Sequence, residues 1–312
     1  MNDVYIGIDV SKDTLELCVG EGIDRWTFSN DESGIAAMVK WVRNHAPVLV
    51  VLEATGGLEM QAAASLCARG IPTAVVNPRQ VRDFAKALGI LAKTDALDAK
   101  VLALFAERVK PECRPVPSKD ERALKELLKR RMQLIEMRTA EQNRLGLIES
   151  PRVRTSIKKL LASINRELVQ IDEDLEQSIR NNSTWCEKDA IIQSVPGVGT
   201  GTSRMLLACL PELGTIGRQE IACLAGLAPM NNDSGRFRGK RMIRGGRRII
   251  RAALHMPTLC ATKHNPIIRT YYQRLITAGK SKNVALSACK RKLLTIINTM
   301  VANQSPWCTS AS

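Results

Sequence analysis

The sequence predicts an α/β domain with a mixed sheet over residues 1–112, a helical segment of coiled-coil character over 113–183, and a mainly α-helical domain over 184–312. Three observations carry this. Short β-rich runs alternate with amphipathic stretches in the first 112 residues, the order that builds an α/β layer. Apolar residues in the middle segment step by four and three, the seam of a heptad pattern. The last region reads as basic helices.

The N-terminal elements follow in order. "VYIGIDV" (4–10) and "TLELCVG" (14–20) are strands joined by the short turn at 11–13, and "RWTFSN" (25–30) is a third. In "DESGIAAMVKWVRNHA" (31–46), Ile35, Met38, Val39 and Val42 fall on one helical face. "PVLVVLEAT" (47–55) is a continuous apolar run bounded by Pro47 and Gly56, the pattern of a buried central strand. A helix (58–69), the strand "PTAVVN" (72–77) and helices at 79–91 and 95–108 complete the domain.

"ECRPVPS" (112–118) reads as a linker. Beyond it, Ile157, Leu161, Ile164, Leu168, Ile171 and Leu175 form the a/d seam, and Ser150–Pro151 breaks the segment in two. A helical hairpin, a dimerising coiled coil, and a helix pair packed on its own domain all fit this pattern. The C-terminal region shows clear helices at 245–263 and 283–302.

Composition limits function. A chain of 312 residues with a net charge of +15 and a pI of about 9.7 meets a polyanion, with nucleic acid the first candidate and an acidic membrane surface the second. No apolar window is long enough for a transmembrane helix, and "MNDVYIGIDV" has no signal-peptide pattern, so a cytoplasmic protein is expected. Nine scattered cysteines without a CxxC pair, and three dispersed histidines, speak against zinc and against a disulfide framework. Any metal is expected to be held by oxygen.

Four acids provide that oxygen. Asp9 ends the first strand and Glu53 ends the central one, so the two meet if those strands are neighbours. Asp95 and Asp98 stand three apart, on one face of a helix. Clustered carboxylates repel unless a cation lies between them, and magnesium suits a carboxylate site that also takes phosphate oxygens. Three of the acids also have an ordinary alternative: Asp9 caps a turn, Asp95 caps a helix, Asp98 sits on a solvated face.

The stretch "NNDSGRFRGKRMIRGGRR" (231–248) places Ser234 at the head of a basic run. Positions 236–251 carry Arg236, Arg238, Lys240, Arg241, Arg244, Arg247, Arg248 and Arg251 and no acid, and Gly235, Gly239, Gly245 and Gly246 are interleaved. Glycines let a backbone approach phosphate closely. Whether Ser234 is a turn residue or a nucleophile is not decided inside the stretch. "VPGVG" (195–199), with Gly197 and Gly199, reads either as a helix–hairpin–helix turn gripping a DNA phosphate or as a plain tight turn.

"GIDVSKD", "LEATGGLE" and "KTDALDAK", in that order, resemble the blocks of the RuvC-like (ribonuclease-H-like) DEDD domain of the Piv-type and IS-one-ten transposases. "SVPGVGTGTSRMLLACLPELG", "LAGLAPMNNDSGRFRGKRMIRGGRRIIRAALHM" and "KHNPIIRTYYQRLITAGKSKNVALSACKRKLLTIINTM" resemble the C-terminal transposase domain of that family, so the likeness spans nearly the whole chain. It implies that Asp9, Glu53, Asp95 and Asp98 bind magnesium and that Ser234 is the nucleophile of a site-specific recombinase of a mobile element. It implies double-stranded donor and target DNA as partners and, in the insertion-sequence branch, a non-coding bridge RNA. It also implies dimers assembling to a tetramer, with acids and serine drawn from different protomers.

Serine attack on a phosphodiester would leave a phosphoserine link and a free DNA hydroxyl, conserving the bond energy, so no nucleotide cofactor is expected. A serine hydroxyl needs a base or a metal to activate it. No histidine lies near Ser234 in sequence, which leaves carboxylate-bound metal as the activator. The competing readings are a metal-dependent nuclease or junction resolvase with a structural Ser234, and a non-catalytic nucleic-acid-binding protein.

Overall fold

The computed structural model describes residues 3–20, 25–90, 95–113, 117–231, 233–234, 237–239 and 241–308, without the side chains of 95–97, 237 and 238. The chain divides into two units, Met1–Pro117 and Ser118–Ser312.

In the first unit β1 (Tyr5–Val10), β2 (Thr14–Val19) and β3 (Arg25–Ser29) form an antiparallel meander, followed by α1 (Glu32–Asn44). Strand β4 (Leu49–Glu53) lies parallel to β1, α2 (Met60–Cys67) crosses back, and β5 (Thr73–Val76) lies parallel to β4. Helices α3 (Pro78–Ala87) and α4 (Asp95–Val109) finish the unit, and the sheet order is β3-β2-β1-β4-β5. The expected mixed sheet is therefore present.

Strand alternation sorts the core into two layers. Ile6, Ile8, Val10, Val50 and Leu52 pack with Ile35, Met38 and Leu66 of α1 and α2. Tyr5, Leu49, Val51 and Val76 pack on the other face with Val81, Leu102 and Phe105 of α3 and α4. Helix α4 comes so close to β1 that a Cβ on Gly7 would lie 2.2 Å from the Ala99 carbonyl oxygen and 2.3 Å from the Ala103 nitrogen. Helix α1 starts where the Asp31 carboxylate accepts the Gly34 N–H at 2.7 Å, which holds that carboxyl below its usual range.

The second unit opens with a helical hairpin. Ser118 and Glu121 form a capping box on α5 (Lys119–Leu147), and Pro151 begins α6 (Pro151–Arg180). The two run antiparallel, pinned by the fork of Arg131 on Asp172 at 2.7 and 3.2 Å. Then come α7 (Ser183–Gln193), α8 (Thr200–Cys209) and α9 (Arg218–Leu224). Four two-residue strands follow, β6 (Pro229–Met230), β7 (Asp233–Ser234), β8 (Phe237–Arg238) and β9 (Met242–Ile243). Helices α10 (Arg248–Ala253), α11 (His255–His264), α12 (Pro266–Thr277) and α13 (Lys282–Ala302) close the chain.

Three features differ from the sequence expectation. The boundary expected at 183 does not divide two units, because Leu124, Leu168 and Leu175 of the hairpin share one core with Leu206, Ile250 and Leu293. The seam of α6 is therefore covered within the chain, although Leu147 near the hairpin tip is 84% exposed and Val169 is 59% exposed. The helix expected at 245–263 is two helices, α10 and α11. Pro257 has no N–H for the Ala253 carbonyl four residues earlier, and its ring would strike that carbonyl, so α10 stops at Ala253. The described part of the basic stretch after α9 holds the short strands β6 to β9, which the sequence pattern does not announce. Among the described residues no helix is long and apolar enough to cross a membrane.

Candidate active site

The acids of the first unit assemble from the sheet outward. The parallel register pairs Ile8 with Leu52, so Asp9 and Glu53 stand side by side one step beyond, at the carboxyl ends of neighbouring strands. Each is half-buried. Asp9 shares a face with Tyr5 and Gly7, the face covered by α4. The Lys110 ammonium lies 5.8 Å from the Tyr5 ring, while Ala99 and Ala103 touch Gly7, so α4 runs antiparallel to β1. Its first turn therefore reaches the Asp9 end of the strand. Asp98 falls four residues before Leu102, on the stripe packed against the sheet, and Asp95 stands at the first residue of α4. The structure thus brings the backbones of all four acids to one edge, on one face. Asp98 is half-buried there, and the Asp95 side chain lies outside the described residues.

A fifth carboxylate reaches the same face. Glu16 pairs directly with Asp9 across the β1–β2 ladder and is half-buried. Its signal in the sequence is alternation: in "TLELCV" it is the polar residue between two core leucines. Like charges directly opposite on a sheet repel. The donor set is all oxygen, which suits a hard divalent cation rather than zinc. Among the described residues no three acids, histidines or cysteines stand close enough to hold an ion as they are.

Ser234 lies in the second unit, on an arm. Pro229 pairs with Ile243 and Met230 with Met242, then Asp233 with Arg238 and Ser234 with Phe237. Ser234 pairs with Phe237 and is exposed. Gly235, Arg236 and Lys240 lie outside the described residues, as does the side chain of Arg238.

The arginines after the arm separate into two groups. Arg247 is bonded to the protein itself: it forks onto Glu212 at 2.5 and 2.6 Å and donates to the Cys209 carbonyl at 3.1 Å. Arg251 donates to the carbonyls of Gly226 and Gly245 at 3.1 and 3.0 Å. Arg241, Arg244 and Arg248 are exposed. The glycines divide in the same way. A Cβ on Gly246 would lie 2.1 Å from the Gly226 nitrogen, so this glycine admits another backbone segment, whereas Gly245 faces open space. Burial, and secondarily the neighbouring Arg251 guanidinium, pull the Lys290 ammonium below its usual range.

"VPGVG" links α7 to α8 as a tight hairpin between helices. Gly197 has φ +97° and a Cβ there would lie 2.7 Å from the Ala261 nitrogen, so packing against α11 explains that glycine. Gly199, the residue before α8, is exposed with open space around its Cα, and no side chain caps that end of the helix.

Both regions, the acid edge and the serine arm, match known proteins in sequence. The DEDD transposase profile of IS110 type matches residues 6–147, which include β1, β4 and α4 with their acids. A second profile, described as transposase, IS116/IS110/IS902 family, matches residues 189–273 and includes the Ser234 arm. The pilin gene-inverting protein of Moraxella bovis is 29% identical over 98% of both chains. The transposase for insertion sequence element IS1111A of Coxiella burnetii is 27% identical over 75% of this chain and 71% of that protein. The acid edge and the serine arm thus fall in the two matched regions, and the chain belongs to the IS116/IS110/IS902 family of transposases.

Proposed function

We propose that this transposase cuts and rejoins DNA at the ends of a mobile element, with Ser234 as the attacking group and the carboxylates of the first unit as its activating centre. The observation that carries the reading is the convergence of Asp9, Glu53 and the first turn of α4 at one edge of the sheet. The strand order β3-β2-β1-β4-β5 supports a RuvC-like domain. The membership of the family implies a divalent cation, and the all-oxygen donor set supports magnesium, held by Asp9, Glu53, Asp95 and Asp98. When bound, such an ion supplies charge neutralisation at the phosphate and lowers the pKa of a nearby hydroxyl.

The protein's own residues do the rest. The Ser234 oxygen attacks phosphorus, its proton leaves to solvent or to a carboxylate of the site, and the P–O bond to the leaving DNA hydroxyl breaks. Reversal by that hydroxyl rejoins the strand without a nucleotide. Exposed Arg241, Arg244 and Arg248, with the amides at Gly199, contact duplex phosphates. A bridge RNA pairs with donor and target DNA, and the exposed apolar residues of the α5–α6 hairpin serve dimers that assemble to a tetramer. The relatives named for gene inversion and for an insertion sequence support a site-specific recombinase over a simple nuclease.

The test is strand cleavage of element-end DNA by purified protein with RNA from its own locus. Asp9→Asn and Glu53→Gln abolish cleavage and Ser234→Ala does the same. Cleavage that survives Ser234→Ala but not Asp9→Asn would instead establish a water-attacking nuclease.

A further inference from the structure

We infer that Glu59 is a positioning residue for Glu53: its buried carboxylate ties down the segment that follows β4 and so fixes where the Glu53 carboxylate stands. The inference rests on the reading of Glu53 as a metal-holding acid.

The ladder between β4 and β5 ends when Ala54 N–H donates to the Val76 carbonyl at 3.0 Å. Beyond it the chain enters Thr55-Gly56-Gly57, and the two glycines adopt φ +71° and +116°, conformations open chiefly to glycine. Nothing packs against either glycine, and both are exposed. Such a segment has little of its own to hold it. Glu59 supplies the restraint. One carboxylate oxygen, Oε2, accepts the Thr55 N–H at 3.0 Å and the Gly57 N–H at 2.9 Å. Thr55 Oγ1 in turn donates to the Glu53 carbonyl at 3.1 Å, so the restraint is linked back to the site acid.

Two facts set Glu59 apart from an ordinary helix cap. It immediately precedes α2 yet makes no side-chain bond to the amides of that helix. It is also an acid with 5% exposure, and burying a carboxylate is costly unless it is hydrogen-bonded. Both bonds are part-buried, and one carboxylate oxygen satisfies both amides. What the carboxylate adds is a single conformation for the backbone next to Glu53.

Because one oxygen accepts both bonds, the role is geometric and not one of charge. Gln offers the same oxygen at the same reach, whereas Asp keeps the charge but withdraws it by one methylene. The experiment uses the full chain, wild type and Glu59→Gln, Glu59→Asp, Glu59→Ala and Glu53→Gln. Magnesium or manganese alone is titrated while the rise in unfolding temperature is followed, and the metal dependence of DNA cleavage is measured in parallel. Partners that orient a metal ligand are worth about 10- to 100-fold in metal affinity, so Glu59→Ala and Glu59→Asp shift both midpoints upward at least ~10-fold, and Glu59→Gln stays within about threefold of wild type.

Wild-type midpoints in folded Glu59→Ala and Glu59→Asp overturn the inference. So does a Glu59→Gln as weak as Glu59→Ala, which would assign the effect to charge. If Glu59→Ala does not fold, the comparison of Asp with Gln decides. A Glu53→Gln that titrates like wild type, or a wild type without metal response in either readout, overturns the metal reading of Glu53 and the inference with it. A Glu53→Gln that loses the response beside unaffected Glu59 variants overturns the inference alone.

Discussion

Gly7→Ala is the sharpest probe of the acid edge. The added methyl would lie 2.2 Å from the Ala99 carbonyl oxygen, 2.3 Å from the Ala103 nitrogen and 2.7 Å from Leu102 Cβ. These are backbone atoms and a Cβ, so no flexible side chain can swing away. A carbon–oxygen contact relaxes at about 3.3 Å, so α4 must retreat by roughly 1 Å. Overpacking of this kind costs about 1–3 kcal/mol. Asp98 is carried on the same rigid helix one turn earlier, and a displacement of ~1 Å in reacting geometry costs about 100-fold in rate. Gly34→Ala is the matched control. Its Cβ would lie 2.1 Å from the Ser29 carbonyl oxygen, between α1 and β3 and away from α4. The assays are thermal unfolding of the full chain and DNA cleavage at a temperature where each variant is folded. Both variants lose stability, and only Gly7→Ala loses metal affinity and cleavage. Equal cleavage by the two, or a Gly7→Ala with wild-type stability, refutes the placement of α4 over β1.

Further outcomes follow from the second unit. Arg247→Ala removes the fork onto Glu212 and the bond to the Cys209 carbonyl and lowers stability by about 1–3 kcal/mol, seen by denaturant unfolding. Arg241→Ala and Arg244→Ala leave stability within about 0.5 kcal/mol, yet each lowers the slope of log DNA affinity against log salt by about 0.9. The reverse pattern would return Arg247 to the DNA. Burial pushes the Cys289 thiol up from 9.0 to about 11. The folded state then holds that proton more tightly than the unfolded chain. Its contribution is complete below pH 9 and is lost as pH rises towards 11, amounting to ~1 kcal/mol at pH 10. Cys289→Ala flattens that slope, and an unchanged slope assigns it elsewhere. Finally, mixing inactive Ser234→Ala with inactive Asp9→Asn restores cleavage if acids and serine act from different protomers; no recovery in co-assembled mixtures places them on one.

Much of the first unit was legible because its strands are written in period two and its helices in period three to four. Acids stand at or next to the carboxyl ends of the apolar runs of β1 and β4, so Asp9 and Glu53 stood out. Their adjacency was only conditional until the register placed β1 beside β4. Glu16 was overlooked because a polar residue in an alternating strand looks like the solvent face, and only the cover of α4 shows otherwise. The short strands around Ser234 are two residues each, below the length at which periodicity shows. The arginine run read as uniform, since a sequence does not show that Glu212 and the Gly226 carbonyl claim two of its members. The break in α10–α11 was readable from Pro257, and the apolar pattern on either side hid it.

The central claim is that Ser234 becomes covalently joined to DNA. Protein with RNA from its own locus, magnesium and element-end DNA is quenched in denaturant, digested, and the DNA-linked peptide sequenced by mass spectrometry. The account predicts one adduct, a phosphoester on Ser234, absent from Ser234→Ala and from Asp9→Asn. Cleaved DNA with no protein attached, or an adduct that persists in Ser234→Ala, would contradict it.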